Sequence, residues 1–170
     1  MPRESMAFYL CDSNATETLG QSLAWALPPI VSGAVLYLHG ELGAGKTSCA
    51  RSLLRALGVT GTVRSPTYTL VETYQLAAFT CVHVDLYRVQ TLTEIEELGL
   101  RDVLGPDCLL LVEWPEKGAA ALPAADLDLV LLYAGEAREA QLIAKTELGT
   151  VWLANLGRDT SLFPYVSNLT

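Results

Sequence analysis

The eight residues Gly40-Glu41-Leu42-Gly43-Ala44-Gly45-Lys46-Thr47 constrain this chain more than any other stretch. They read G-x-x-x-x-G-K-T, a pattern that wraps a polyphosphate with successive backbone N–H groups. Side chains would obstruct so close an approach, which accounts for Gly43 and Gly45. A loop of this kind leaves a strand and opens a helix, whose partial positive charge faces the phosphates. Both flanks are present. Ala34 to Leu38 is an apolar run of strand length, and Ala50, Leu53, Leu54 and Leu57 recur behind the loop at helical spacing. In this setting Lys46 reaches the β- and γ-phosphates, and the Thr47 hydroxyl sits on Mg²⁺.

The flanking segments predict an α/β architecture. Ala7 to Cys11 is a strand candidate. Asp12, Ser13 and Asn14 are candidate N-caps, with Glu17 in the capping-box position relative to Asn14. A helix should run to about Ala26, burying Leu19, Leu23, Ala26 and Leu27, and Pro28-Pro29 ends it. Thr69–Tyr74 and Phe79–Asp85 read as a hairpin, and Thr91–Leu98 as a short helix capped by Thr91. Arg101 to Leu104 adds a further turn. Cys108 to Val112 is wholly apolar, as a central buried strand is. Leu127–Ala134 and Ala137–Lys145 form a second hairpin, and Thr150–Leu156 is a strand or a helix. The stretch 157–170 shows no period. The expected fold is a P-loop NTPase: one α/β domain over residues 1–156, with a mixed sheet flanked by helices, then a tail of unassigned structure. The sheet should be parallel near the P-loop and antiparallel toward the C-terminus.

Composition narrows the function. The chain has 170 residues and is 51% hydrophobic, enough for one domain with a true core. No apolar run reaches the ~18 residues of a membrane helix, and the first residues do not read as a signal peptide. Cys11, Cys49, Cys81 and Cys108 are scattered without a C-x-x-C pair. Cys11, Cys81 and Cys108 lie in apolar runs and are expected to be buried thiols, so a reducing cytoplasm is the expected compartment. Net charge is −8, with Lys46, Lys117 and Lys145 the three lysines. A chain that gripped nucleic acid unaided would need a basic face. Any RNA in its function should be held by partners.

Two acids end apolar runs: Asp85 after Cys81-Val82-His83-Val84, and Glu113 after Cys108 to Val112. Either position suits the Mg²⁺ side of a P-loop. His83 reads as a histidine satisfied within the sheet or as part of this site. The polar stretch Gly61 to Thr69, with Ser65, Pro66 and Thr67, is either a surface loop or a switch touching the γ-phosphate.

Among P-loop classes, a GTPase should carry N/T-K-x-D. The near match, Ala144-Lys145-Thr146-Glu147, lacks both the first residue and the Asp. A small-molecule kinase usually carries an arginine-bearing lid, whereas Arg51, Arg55, Arg64, Arg88, Arg101 and Arg138 are spread singly. An ATPase driving another process fits better. A kinase, and a nucleotide-dependent interaction protein without turnover, remain the alternatives.

Several ordered motifs go beyond the P-loop: Ser65-Pro66-Thr67-Tyr68-Thr69-Leu70-Val71-Glu72, Asp85-Leu86-Tyr87-Arg88, Glu94 through Gly99, and Val112-Glu113-Trp114-Pro115. Over roughly its first 145 residues the chain resembles the TsaE (YjeE) family. The resemblance implies an ATPase of tRNA threonylcarbamoyladenosine (t6A) biosynthesis that works with TsaB and TsaD and meets tRNA through them. It implies phosphate binding by Lys46 and the loop from Leu42 through Gly43, Ala44 and Gly45 to Thr47 and Ser48. It implies Thr47 and Glu113 as Mg²⁺ ligands, with Asp85 near the metal or orienting water. It also gives Thr67 and its neighbours the switch-like role, Thr16 with nearby Ser13 the contact to adenine, and Arg138 the stack on the base. The sequence departs from the family pattern in a longer hairpin turn before Arg138, and in the stretch after Gly157.

Overall fold

Every residue of Cys108–Glu113 (β5) is buried, as befits a strand covered on both faces. It sits inside a seven-stranded sheet in a computed structural model that describes residues 4–29 and 33–167. The other strands are Ser5–Leu10 (β1), Ala34–Gly40 (β2), Val71–Gln75 (β3), Thr80–Asp85 (β4), Leu127–Ala134 (β6) and Ala137–Ala144 (β7). Their order is β1-β7-β6-β2-β5-β4-β3. The P-loop strand β2 lies between β5 and β6, parallel to both, and β4 is parallel to β5. The antiparallel pairs lie at both edges, β3 with β4 on one side, and β6, β7 and β1 on the other.

Strand periodicity sorts the core into two faces. Leu36, Leu38, Cys81, Leu109 and Leu111 point to one side, beneath the helices Ser13–Ala26 (α1), Lys46–Ala56 (α2) and Glu147–Leu156 (α5). Val35, Val82, Val84, Leu110 and Val112 point to the other. Ile95 and Leu100 cover them from the short helices Leu92–Glu97 (α3) and Leu100–Val103 (α4). The alternation has a functional result. His83 and Asp85 share the face of Cys81, and Glu113 shares the face of Leu109 and Leu111, so all three polar residues look toward α2.

Close helix contact fixes α1 on α2. A Cβ on Gly20 would lie 2.4 Å from the Cys49 carbonyl oxygen. The Ser52 hydroxyl donates to the Glu17 carbonyl at 2.6 Å across the same seam. Asp12, the first of the three cap candidates, accepts from the Ala15 N–H at 2.8 Å, so the helix starts too early for Asn14 and Glu17 to form a box. Thr91 and Glu94 do form their cap.

Two regions that the sequence left open take defined structure. Residues 147–156 are helical, begun by the Thr146 cap. Its Trp152 Nε1 donates to the Leu23 carbonyl at 2.9 Å and Asn155 to that of Ala26, which ties α5 to the end of α1. The tail forms a 3-10 helix over Thr160–Tyr165 with Leu162 buried in the main core, and Val166 bridges to Phe8. A 3-10 turn carries neither the 3.6 nor the 2.0 period, which is why no pattern was visible. Among the cysteines, Cys49, Cys81 and Cys108 are buried, and burial pushes the Cys49 and Cys81 thiols up to about 12. Cys11 is exposed, because β1 ends one residue before it.

Candidate nucleotide site

The loop after β2 turns on glycines. Gly40, Gly43 and Gly45 all have positive φ, at 148°, 79° and 108°, a region L side chains rarely enter. Gly45 is the N-cap of α2 and supplies no side-chain cap, so the first N–H groups of the helix face the loop's concave side. Backbone N–H groups at a helix N-terminus in this arrangement suit an anion.

Lys46 opens α2 and is only 4% exposed. Its ammonium donates to the Gly40 carbonyl and, at 2.8 Å, to that of Glu41. It also lies 4.0 Å from the centre of the Trp114 ring. Burial pulls its pKa below the ordinary lysine range, while Glu113, Glu116 and Asp85 act in the opposite direction.

One turn of geometry brings the next residue to the sheet. The Thr47 hydroxyl donates to Glu113 Oε2 at 2.9 Å, with Oε1 at 3.1 Å. Asp85 is the cross-strand partner of Glu113. Its Oδ1 accepts the Tyr87 N–H at 2.9 Å and its Oδ2 the Ser65 hydroxyl at 3.1 Å, and Ser65 in turn meets Thr67 at 2.7 Å. The hydroxyl-rich loop is therefore tied to the strand-end acid. Lys46, Thr47, Ser65, Thr67, Asp85 and Glu113 line one cleft of about 260 Å³, together with Tyr87 and Trp114.

The donor set suits a small hard cation. The lining offers hydroxyl oxygens, Thr47 among them, and the carboxylates of Asp85 and Glu113, with no thiol. Mg²⁺ takes few protein ligands and completes its shell with water and phosphate oxygens.

A second cavity of about 280 Å³ adjoins the first across Gly43, Gly45 and Ser48. Ser13, Thr16, Ala44 and Arg138 line it, so the residues expected around a base and those expected around phosphates flank one loop. Leu42 is exposed at the loop tip. The pairing of Ala134 with Ala137 leaves a two-residue turn, Gly135-Glu136, between the strand bounds read from the sequence. Arg138 NH1 donates to the Glu136 and Ala137 carbonyls and NH2 to that of Gly43 at 3.3 Å.

Sequence reading did not single out Tyr133. The Arg138 guanidinium lies 4.1 Å from the centre of its ring, and its hydroxyl donates to the Leu42 carbonyl at 2.6 Å, so the tip of the β6–β7 hairpin braces the P-loop. The signal was weak, since an exposed tyrosine near a hairpin end has no pattern of its own. His83 lies against Glu113, its Nε2 2.8 Å from Oε1.

Comparisons with known proteins identify the family of the chain. Residues 10–141 match the family model described as Threonylcarbamoyl adenosine biosynthesis protein TsaE. The tRNA threonylcarbamoyladenosine biosynthesis protein TsaE of Haemophilus influenzae is 41% identical over 148 residues, 86% of this chain and 94% of that one. The protein of the same name from Synechocystis is 46% identical over 69% of this chain and 74% of its own length. The crystal structure of Bacillus subtilis YdiB superposes with a TM-score of 0.75 at 26% identity, covering 93% of this chain and 97% of that one. With the family model matched across the P-loop, both strand-end acids and Arg138, this chain belongs to the TsaE family of tRNA threonylcarbamoyladenosine biosynthesis proteins.

Proposed function

We propose that the chain is an ATP hydrolase whose turnover drives or resets the TsaB–TsaD assembly during t6A formation. The observation that carries this reading is the convergence of Lys46, Thr47, Asp85 and Glu113 on one side of the P-loop. Lys46 exchanges its carbonyl contacts for β- and γ-phosphate oxygens. Thr47 and Glu113 are the residues that would hold Mg²⁺, which when bound neutralises charge on the phosphates. Asp85 keeps lone pairs free beside the bonds from Tyr87 and Ser65, and orients the attacking water. Its link through Ser65 to Thr67 gives the 65–67 loop a route to sense the γ-phosphate. Adenine occupies the adjoining cavity against Ser13 and Thr16, with Arg138 at its wall.

The GTPase alternative loses its one near match. Lys145 pairs with Asp128 at 3.1 Å and Thr146 caps α5, so neither is free to read a base. No helix among the described residues is long and apolar enough to cross a membrane. The acidic chain should meet tRNA through its partners, in the cytoplasm. A pull-down with TsaB and TsaD, with and without ATP, combined with t6A formation in the reconstituted system, tests the proposal. Nucleotide-dependent capture and ATP-dependent t6A formation are expected. Absence of both, beside a phosphorylated small-molecule product, would replace it with a kinase.

A further inference from the structure

Parallel-sheet faces beneath a helix are apolar, and the face toward α2 holds Leu36, Leu38, Cys81, Leu109 and Leu111. His83 interrupts it with no exposed surface at all. Burying an imidazole there costs desolvation of two polar nitrogens. One of them, Nδ1, has no hydrogen-bond partner among the described residues. The other, Nε2, meets Glu113 Oε1 at 2.8 Å. A carboxylate only accepts, so Nε2 is the nitrogen that donates across this contact. A histidine serving the core alone would gain nothing over leucine. This one spends an unpartnered nitrogen to hold a single acid.

That acid is itself 1% exposed, and its two side-chain donors are His83 and Thr47. A hydroxyl that gives a lone pair to a cation can still donate its proton, so Thr47 stays a donor on the cation side of Glu113, while His83 is its donor from within the sheet. Building on the ATPase reading, we infer that His83 is the positioning residue of Glu113: its Nε2–H pins Oε1 and presents Oε2 beside the Thr47 hydroxyl, so Glu113 offers a cation one oxygen and favours Mg²⁺ over Ca²⁺. Ca²⁺ readily takes both oxygens of a carboxylate and tolerates seven or eight ligands, whereas Mg²⁺ demands an octahedron.

The test is binding of a fluorescent ADP analogue to the full chain in Mg²⁺, in Ca²⁺ and in EDTA. His83→Leu should keep the EDTA affinity, lose about 10- to 100-fold of the Mg²⁺ enhancement, as loss of an outer donor to a metal ligand typically does, and narrow the Mg²⁺/Ca²⁺ preference. His83→Gln, whose amide N–H can stand in for Nε2–H, should restore both to within a few-fold. A His83→Leu protein with the wild-type Mg²⁺/Ca²⁺ ratio overturns the inference alone, whereas a wild type without any metal-dependent binding overturns the ATPase reading. Should His83→Leu fail to fold, ¹⁵N-histidine NMR of the wild type decides. A protonated Nε2 that shifts on adding Mg²⁺ and ADP is expected. A bare Nε2, or a resonance that does not move, would reject it.

Discussion

Asp85 and Glu113 are cross-strand partners at the ends of β4 and β5, yet the Thr47 hydroxyl bonds Glu113, while Asp85 is held by Ser65 and the Tyr87 N–H. The two acids therefore face different neighbours from equivalent positions. Glu113→Gln should weaken the Mg²⁺ dependence of nucleotide binding by about 10-fold or more, and Asp85→Asn by much less, because Asp85 would act on water. A magnesium titration with a fluorescent nucleotide ranks them, and the reverse order would exchange their roles.

Lys46→Ala should abolish ATP hydrolysis, by at least about 100-fold, the scale of removing a charged contact to a transferring phosphoryl group. The fold should survive. Burial already pulls the Lys46 pKa down, so the buried ammonium costs the protein desolvation that alanine avoids. Phosphate release and a thermal melt measured on the same sample check both halves. Near wild-type turnover would dismiss the site assignment.

Gly20→Ala pits propensity against packing. Alanine is favoured over glycine by about 1 kcal/mol in a helix interior. Its Cβ here would sit 2.4 Å from a backbone oxygen of α2, which cannot swing aside as a side chain can. Overpacking costs about 1–3 kcal/mol, so the variant should be destabilised in urea despite its better helix former. A stabilised variant would mean that α1 and α2 are less closely joined than described.

How much of this was legible before the structure depends on the period of each element. The P-loop with its flanks, both hairpins and β5 carried strong local patterns, and they fold as read. Their places at the ends of apolar runs also marked Asp85 and Glu113 as candidates for the Mg²⁺ side of the P-loop. Parity alone could not say that α2 covers the face of His83 rather than that of Val84, so the contact between His83 and Glu113 stayed hidden. Helix α5 was ambiguous because its start contains Gly149, whose missing side chain admits the Asp126 carbonyl, where a Cβ would lie 1.9 Å away. Tertiary crowding chose that glycine, and local propensity cannot report it.

Asp128 supplies a pH prediction. Burial works to raise its carboxyl, but contact with His39 and Lys145 outweighs it and holds the pKa below the usual Asp range. A depressed carboxyl stabilises the fold above the unfolded value of about 3.9, and that contribution is lost as pH falls through the folded value. Lys145→Met should therefore be less stable than wild type at pH 7, by about 1 kcal/mol at most since Lys145 is partly exposed. The gap should close in acid, once the pH falls through the folded value. Urea unfolding at neutral and at acid pH measures it, and a gap that persists in acid would assign the loss to the lysine stem rather than to the ion pair.

The last prediction concerns rate. Phosphoryl transfer is accelerated mainly by charges and donors fixed around the γ-phosphate. Here the candidates around the cleft are Lys46, the 65–67 loop and the strand-end acids, and its lining contains no arginine. Arg138 is turned to the other cavity, stacked on Tyr133 and bonded to the Gly43 carbonyl, and Arg88 lies over the exposed Tyr68. Among the described residues, the cleft therefore offers the developing charge no cationic contact beyond Lys46, and isolated turnover should be slow. A partner that reorders the 65–67 loop, or brings an arginine of its own, would raise it, and such contributions reach about 10³-fold and more. Steady-state phosphate release should be compared for the chain alone, with TsaB, with TsaD and with both. A large rise only with both is expected. A rate that is already high alone and indifferent to partners would show that the cleft is complete by itself, and would favour the kinase alternative.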